Sequence, residues 1–178
     1  MIKKTYFLIF LLLSCTNDPN LLKEFISENH LPIEQITDAE LLHTENGKLK
    51  VKIFAGKIER FTDKQPELFF SKNIKIFFYN ESEEIQSKLY SENATVDKKS
   101  KIMVAYNNVN LIGNDNRSLE TEELIWDQVS DRIYTEKDVK ITTNNEIISG
   151  KGFYASPDFT KYEITNINGT FDVIDELE

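Results

Sequence analysis

The chain has 178 residues, of which 40% are hydrophobic and 29% charged, with a single cysteine and a formal net charge of −9. That length supports one core of ordinary size, and the lone cysteine excludes an internal disulfide. The acidic balance excludes a basic surface for nucleic acid or for direct capture of phosphates.

The N-terminus comes first in chain order. Lys3 and Lys4 precede an apolar run from Tyr6 to Leu13, too short to cross about 30 Å of hydrocarbon but suited to the core of a secretory signal. The run ends in Leu12-Leu13-Ser14-Cys15, which resembles a bacterial lipobox. It predicts a signal peptide over 1–14, cleavage before Cys15 and lipidation of that cysteine. Losing Lys3 and Lys4 from 21 basic residues leaves 19 against 30 acidic ones, a mature net charge of −11. Residues 15–45 read as a linker or stem: Asn17-Asp18-Pro19-Asn20 as a tether, then Leu21, Leu22, Phe25 and Ile26 as one short amphipathic turn. Pro32 and scattered acids argue against a long helix.

From Asn46-Gly47, a hairpin dipeptide, strict alternation begins, with Leu49, Val51 and Ile53 on one side and Lys48, Lys50 and Lys52 on the other. Ile74 and Ile76 continue the pattern to a turn at Asn80-Glu81-Ser82. Leu89, Ser91, Ala94 and Val96 follow. Ile102, Val104 and Tyr106 then share a face, and Val109 and Leu111 lead to a turn at Gly113-Asn114-Asp115-Asn116. Leu119, Thr121, Leu124 and Trp126 begin a further unit, and Ile148, Phe153 and Ala155 another, with Gly150 and Gly152 marking a bulge or twist. In the units starting at Leu89 and Leu119 the apolar register slips by one residue, which predicts bulges at equivalent places. No segment has a long helical period.

These units are copies. Leu89, Leu119 and Ile148 correspond, as do Asp97, Asp127 and Ser156, and Val109, Val139 and Ile167, at spacings of 30 and then 28 or 29 residues. A unit this small cannot bury its own apolar face, so stacked antiparallel strands are expected, with a functional surface shared among the repeats. The residues expected to point into that surface are Val104, Tyr106, Val109, Leu111, Leu119, Leu124, Trp126, Val139, Ile141, Ile148 and Phe153. Taken singly each reads better as ordinary sandwich core, and only the set carries weight. Phe69-Phe70 and Phe77-Phe78-Tyr79 break alternation, marking either a protein contact or burial under the stem.

Catalysis finds little support. His30 and His43 are the only histidines and stand thirteen residues apart in or near the stem. No zinc spacing, phosphate loop or nucleophile elbow occurs, and pairs such as Glu83-Glu84 and Glu122-Glu123 read as solvated faces. No catalytic residue, metal ligand or cofactor site is expected.

Three strings carry a resemblance: GKLKVKI at 47–53, SLETEELIWDQVSDRIYTEKDVKIT at 118–142 and IISGKGFYASPDFTKYEI at 147–164. They resemble LptC, the periplasmic lipopolysaccharide-transport family, in its Bacteroidota form, over about residues 46–173. The resemblance implies an all-β, open, V-shaped antiparallel jellyroll of the OstA/LptA type over 46–178. It implies a carrier that takes lipopolysaccharide from an LptF/LptG permease driven by the LptB ATPase, shelters its acyl chains, and passes it to an LptA-like bridge. The N-terminal edge, near Val51 to Ile58, would meet the permease and the C-terminal edge, near Tyr162 to Val173, the bridge. Better-known enterobacterial members keep an uncleaved transmembrane helix where this chain has a lipobox; either device holds the domain at the periplasmic side of a membrane. A β-repeat lipoprotein with a scaffold or glycan-binding role is the other reading of the same residues.

Overall fold

The computed structural model describes residues 31–115 and 117–169. The signal peptide, Cys15 and its lipidation, and the tether lie outside the described residues, as does Asn116 of the expected turn. The compact unit beginning at Pro32 is a single nine-stranded antiparallel sheet in chain order. Its strands are β1 (Glu34–Glu45), β2 (Lys48–Arg60), β3 (Leu68–Tyr79), β4 (Ile85–Asp97), β5 (Ile102–Gly113), β6 (Ser118–Asp127), β7 (Arg132–Thr142), β8 (Ile147–Ala155) and β9 (Tyr162–Ile167). β1 and β9 do not pair, so the sheet is open, and no described residue is helical. The expected all-β, jellyroll-like architecture is what forms.

The stem expected over 15–45 does not extend through 34–45. Those residues are β1, paired with β2 from Glu34↔Arg60 to Glu45↔Lys48. β1 therefore holds the N-terminal edge, and the stretch Val51 to Ile58, expected there, is an inner strand between β1 and β3. β1 escaped notice because only Ala39 on it is buried, so it shows no apolar alternation. Backbone pairing holds it, which an edge strand can rely on where an inner one needs side-chain burial.

Strands β2 to β7 are interrupted near their middles, and the interruptions line up across the sheet. Register shifts fall between Phe54 and Lys57 on β2, Ser71 and Ile74 on β3, Tyr90 and Asn93 on β4, Tyr106 and Val109 on β5, Thr121 and Ile125 on β6, and Thr135 and Asp138 on β7. Lys72, Asn73, Asn107, Asn108 and Gly152 have positive φ at this line, the left-handed backbone that sharp bulges require. The row of bulges is a crease that divides each of these strands into two halves, and so the sheet into two leaves.

The leaves fold onto each other. Phe78 on β3 and Trp126 on β6 meet edge to face with ring centroids 5.3 Å apart. Phe78 is level with Ser87 and Gly113, and so with the start of β6, whereas Trp126 lies at that strand's far end. In a flat sheet they would be on the order of 30 Å apart, at about 3.3 Å per residue and about 4.8 Å per strand. One apolar face is thereby buried against itself, and its residues form one continuous core.

The leaf edges are also clasped beside the last hairpin. Ser87 on β4 donates its hydroxyl to the Pro157 carbonyl at 2.6 Å. Arg117 reaches the Thr160 carbonyl at 3.4 Å, and its guanidinium lies 5.6 Å from the Phe159 ring centre and 5.5 Å from that of Tyr162. Phe159 is fully buried against Phe153 and Tyr162.

Candidate functional site

The crease decides which side chains face the interior. On β3, β5 and β7 it takes up two residues, so inward parity is preserved across it: Met103 and Ala105 before Asn107-Asn108, Val109 and Leu111 after. On β4 and β6 parity flips: Ser87, Leu89 and Ser91 give way to Ala94, and Leu119 and Thr121 to Leu124. The expected one-residue slip holds on these strands and fails on β5. There the inward set is Met103 and Ala105, while Val104 and Tyr106 lie on the outer face, only half buried.

The other nine candidates converge. Val109, Leu111, Leu119, Val139, Ile141 and Ile148 cover the inside of one leaf, and Leu124, Phe153 and the half-buried Trp126 that of the other. Sequence reasoning missed Ile76, Phe78, Leu89, Met103, Ala105 and Ile133, which line the same interior. For Phe78 the signal was present: Ile74, Ile76 and Phe78 alternate regularly. Their outward neighbours Phe77 and Phe69 obscured it; Phe77 packs edge to face on Phe54, and Phe69 on Phe61. These outward aromatics thus cover each other across neighbouring strands.

The interior is filled and mainly apolar, with Ser87, Ser91, Thr121 and Thr135 as its buried polar side chains among the described residues. Between Ile76, Phe78 and Leu89 on one leaf and Met103, Ala105, Leu124, Trp126 and Ile133 on the other remains a cavity of about 10 Å³, at the lower limit for one water. A slot standing open for an acyl chain is not present in this conformation. The leaves touch.

Polar chemistry lies outside. The ion pairs Lys52–Glu40, Arg60–Glu34 and Lys140–Glu120 bridge neighbouring strands at partly or largely exposed positions, where each contributes little. Arg117 is held by Asp115, whose hydrogen bond raises the guanidinium and lowers the carboxyl from their ordinary values. A shallow outer groove of about 640 Å³ is lined by Asn108, Asn110, Glu120, Glu122, Asp138 and Lys140, an acidic surface ill suited to phosphates. Among the described residues no three His, Cys, Asp or Glu side chains cluster as metal ligands.

The fold is a creased jellyroll-like sheet whose inside is mainly apolar. A model of the family described as lipopolysaccharide-assembly, LptC-related, matches residues 7–167. The chain belongs to the LptC-related family. It is therefore a periplasmic component of lipopolysaccharide transport and a transport accessory protein, not an enzyme. A search among curated proteins returns no match. The LptC match begins at residue 7 and so includes β1 as well as the repeats.

Proposed function

We propose that this chain accepts lipopolysaccharide from an LptF/LptG permease powered by LptB, houses the lipid A acyl chains between its leaves, and hands the molecule to an LptA-like bridge. In this reading the lipidated Cys15 holds it at the periplasmic face of the inner membrane. Leaving an acyl chain of about a dozen methylenes in water costs on the order of 10 kcal/mol, so free passage through the periplasm is negligible.

The observation that carries the reading is that the two leaves belong to one sheet hinged along a row of bulges. Each strand pairs only with its chain neighbours, and β1 does not pair with β9. Parting the leaves breaks no ladder hydrogen bond, as widening a closed barrel would. It exchanges leaf-on-leaf contact for leaf-on-acyl contact, so apolar area stays covered. The unpaired edges fit the hand-off: β1 exposes Ile36, Leu41 and Leu42, and β9 exposes Ile167, beside backbone groups able to add a strand.

A photo-crosslinker at Leu124 or Val139 in living cells tests this. ATP-dependent adducts with lipopolysaccharide are expected, and co-extraction with an LptF/LptG permease in mild detergent. Absence of adducts at every inward position overturns the reading in favour of a scaffold or glycan-binding role.

A further inference from the structure

Among the described residues two buried side-chain polar atoms lack a hydrogen-bond partner, the Asn110 Oδ1 on the outward side of β5 and the Trp126 indole nitrogen in the interior. The Trp126 indole nitrogen is buried without a hydrogen-bond partner, although part of the residue remains exposed. The adjoining cavity is too small and too apolar to supply a water, which needs two or more polar partners. Phe78, in T-shaped contact, offers a ring but no lone pair. An orphaned buried donor is costly, and a Phe in its place would not incur that cost.

Position gives the donor a meaning. Trp126 is the penultimate residue of β6, at the lip of its leaf and far from the crease. When acyl chains fill an apolar interior and sugars stay in water, the carbonyls joining them lie at the boundary, where an amphipathic indole is well matched. We propose that the Trp126 N–H donates a hydrogen bond to a chain-linking carbonyl of the bound lipid as the Phe78–Trp126 contact opens, so that the site recognises acyl rather than alkyl chains. This rests on the conduit reading and adds a positioning residue to it. The empty form leaves the donor unpaired, and the loaded form pairs it.

The probes are a synthetic lipid A with ester-linked chains and its ether-linked counterpart, added to the full-length protein and to Trp126→Phe. Native protein is expected to bind the ester form about threefold to tenfold more tightly, the worth of one net hydrogen bond. Trp126→Phe should lose that preference and bind the ester and ether forms equally, whatever its absolute affinity. Because the chain has one tryptophan, the hydrogen-bond-sensitive indole band in ultraviolet resonance Raman reports this residue alone. It should shift with the ester lipid and stay still with the ether. Should the variant misfold, the band in native protein decides. Equal binding of both lipids with an unmoved band overturns the inference and leaves the conduit reading intact. Failure of native protein to bind either lipid overturns both.

Discussion

Phe78 and Trp126, forty-eight residues and three strands apart, are in ring contact at 5.3 Å and an interplanar angle of 85°. The contact joins opposite leaf tips of the folded sheet, and on the proposed function it is the pair that separates on loading.

Tethering these tips should therefore stop loading. A short bismaleimide bridging Phe78→Cys and Trp126→Cys is expected to abolish lipopolysaccharide binding, while either single variant, unbridged, retains at least part of it. Binding by the bridged protein at the level of the unbridged double variant would show that the guest does not pass between these tips.

Inside and outside should differ in stability. Leu111 is fully buried, so Leu111→Ala should cost about 2–5 kcal/mol. Val104, its half-buried neighbour on the opposite face, should cost under about 1.5 kcal/mol on truncation to Ala. Urea unfolding of the two variants checks the order, and lipid crosslinking should be seen at Leu124 and Val139 but not at Val104 or Tyr106.

Gly150 controls the last strand. A Cβ there would lie 2.5 Å from the Ile164 methyl and 2.6 Å from the Asn166 carbonyl, both on β9. Gly150→Ala should destabilise by roughly 1–3 kcal/mol and loosen β9 from β8. Faster amide exchange over Tyr162–Ile167, with β4 and β5 unchanged, is the expected signature.

Acid should act through the repeated turns. Asp127 accepts hydrogen bonds from the Ser130 hydroxyl and the Val129 amide, which hold its carboxyl below the usual range, the Ser130 hydroxyl foremost. A folded pKa lower than the unfolded one contributes stability that is complete above about 3.9 and is lost as pH falls through the folded value. Asp127→Asn should flatten that acid limb in a pH series of unfolding midpoints, with little change in its slope near pH 7.

Much of this was legible in the chain. The thirty-residue echo is one pair of strands per copy, and its first two copies hold equivalent places, whereas in the third Ile167 on the edge strand β9 is exposed where Val109 and Val139 are buried. Leu89, Leu119 and Ile148 face inward on β4, β6 and β8. Asp97 and Asp127 each accept two backbone amides in matching turns. Asn46-Gly47 forms its hairpin turn with both φ positive. Alternation could not show whether a bulge takes one residue or two, which is where Val104 and Tyr106 were misplaced: Asn107 and Asn108 look like ordinary polar strand residues until both turn left-handed. Nor could it show that both halves of one sheet bury the same core, because contacts such as Phe78 with Trp126 leave no periodic trace.

The clasp around Phe159 gives the molecule a direction. Ser87 and Arg117 pin the leaves beside the last hairpin, so any parting of the two halves would meet its greatest resistance towards β9. The β8–β9 end is thereby tied across the fold by contacts additional to the apolar packing.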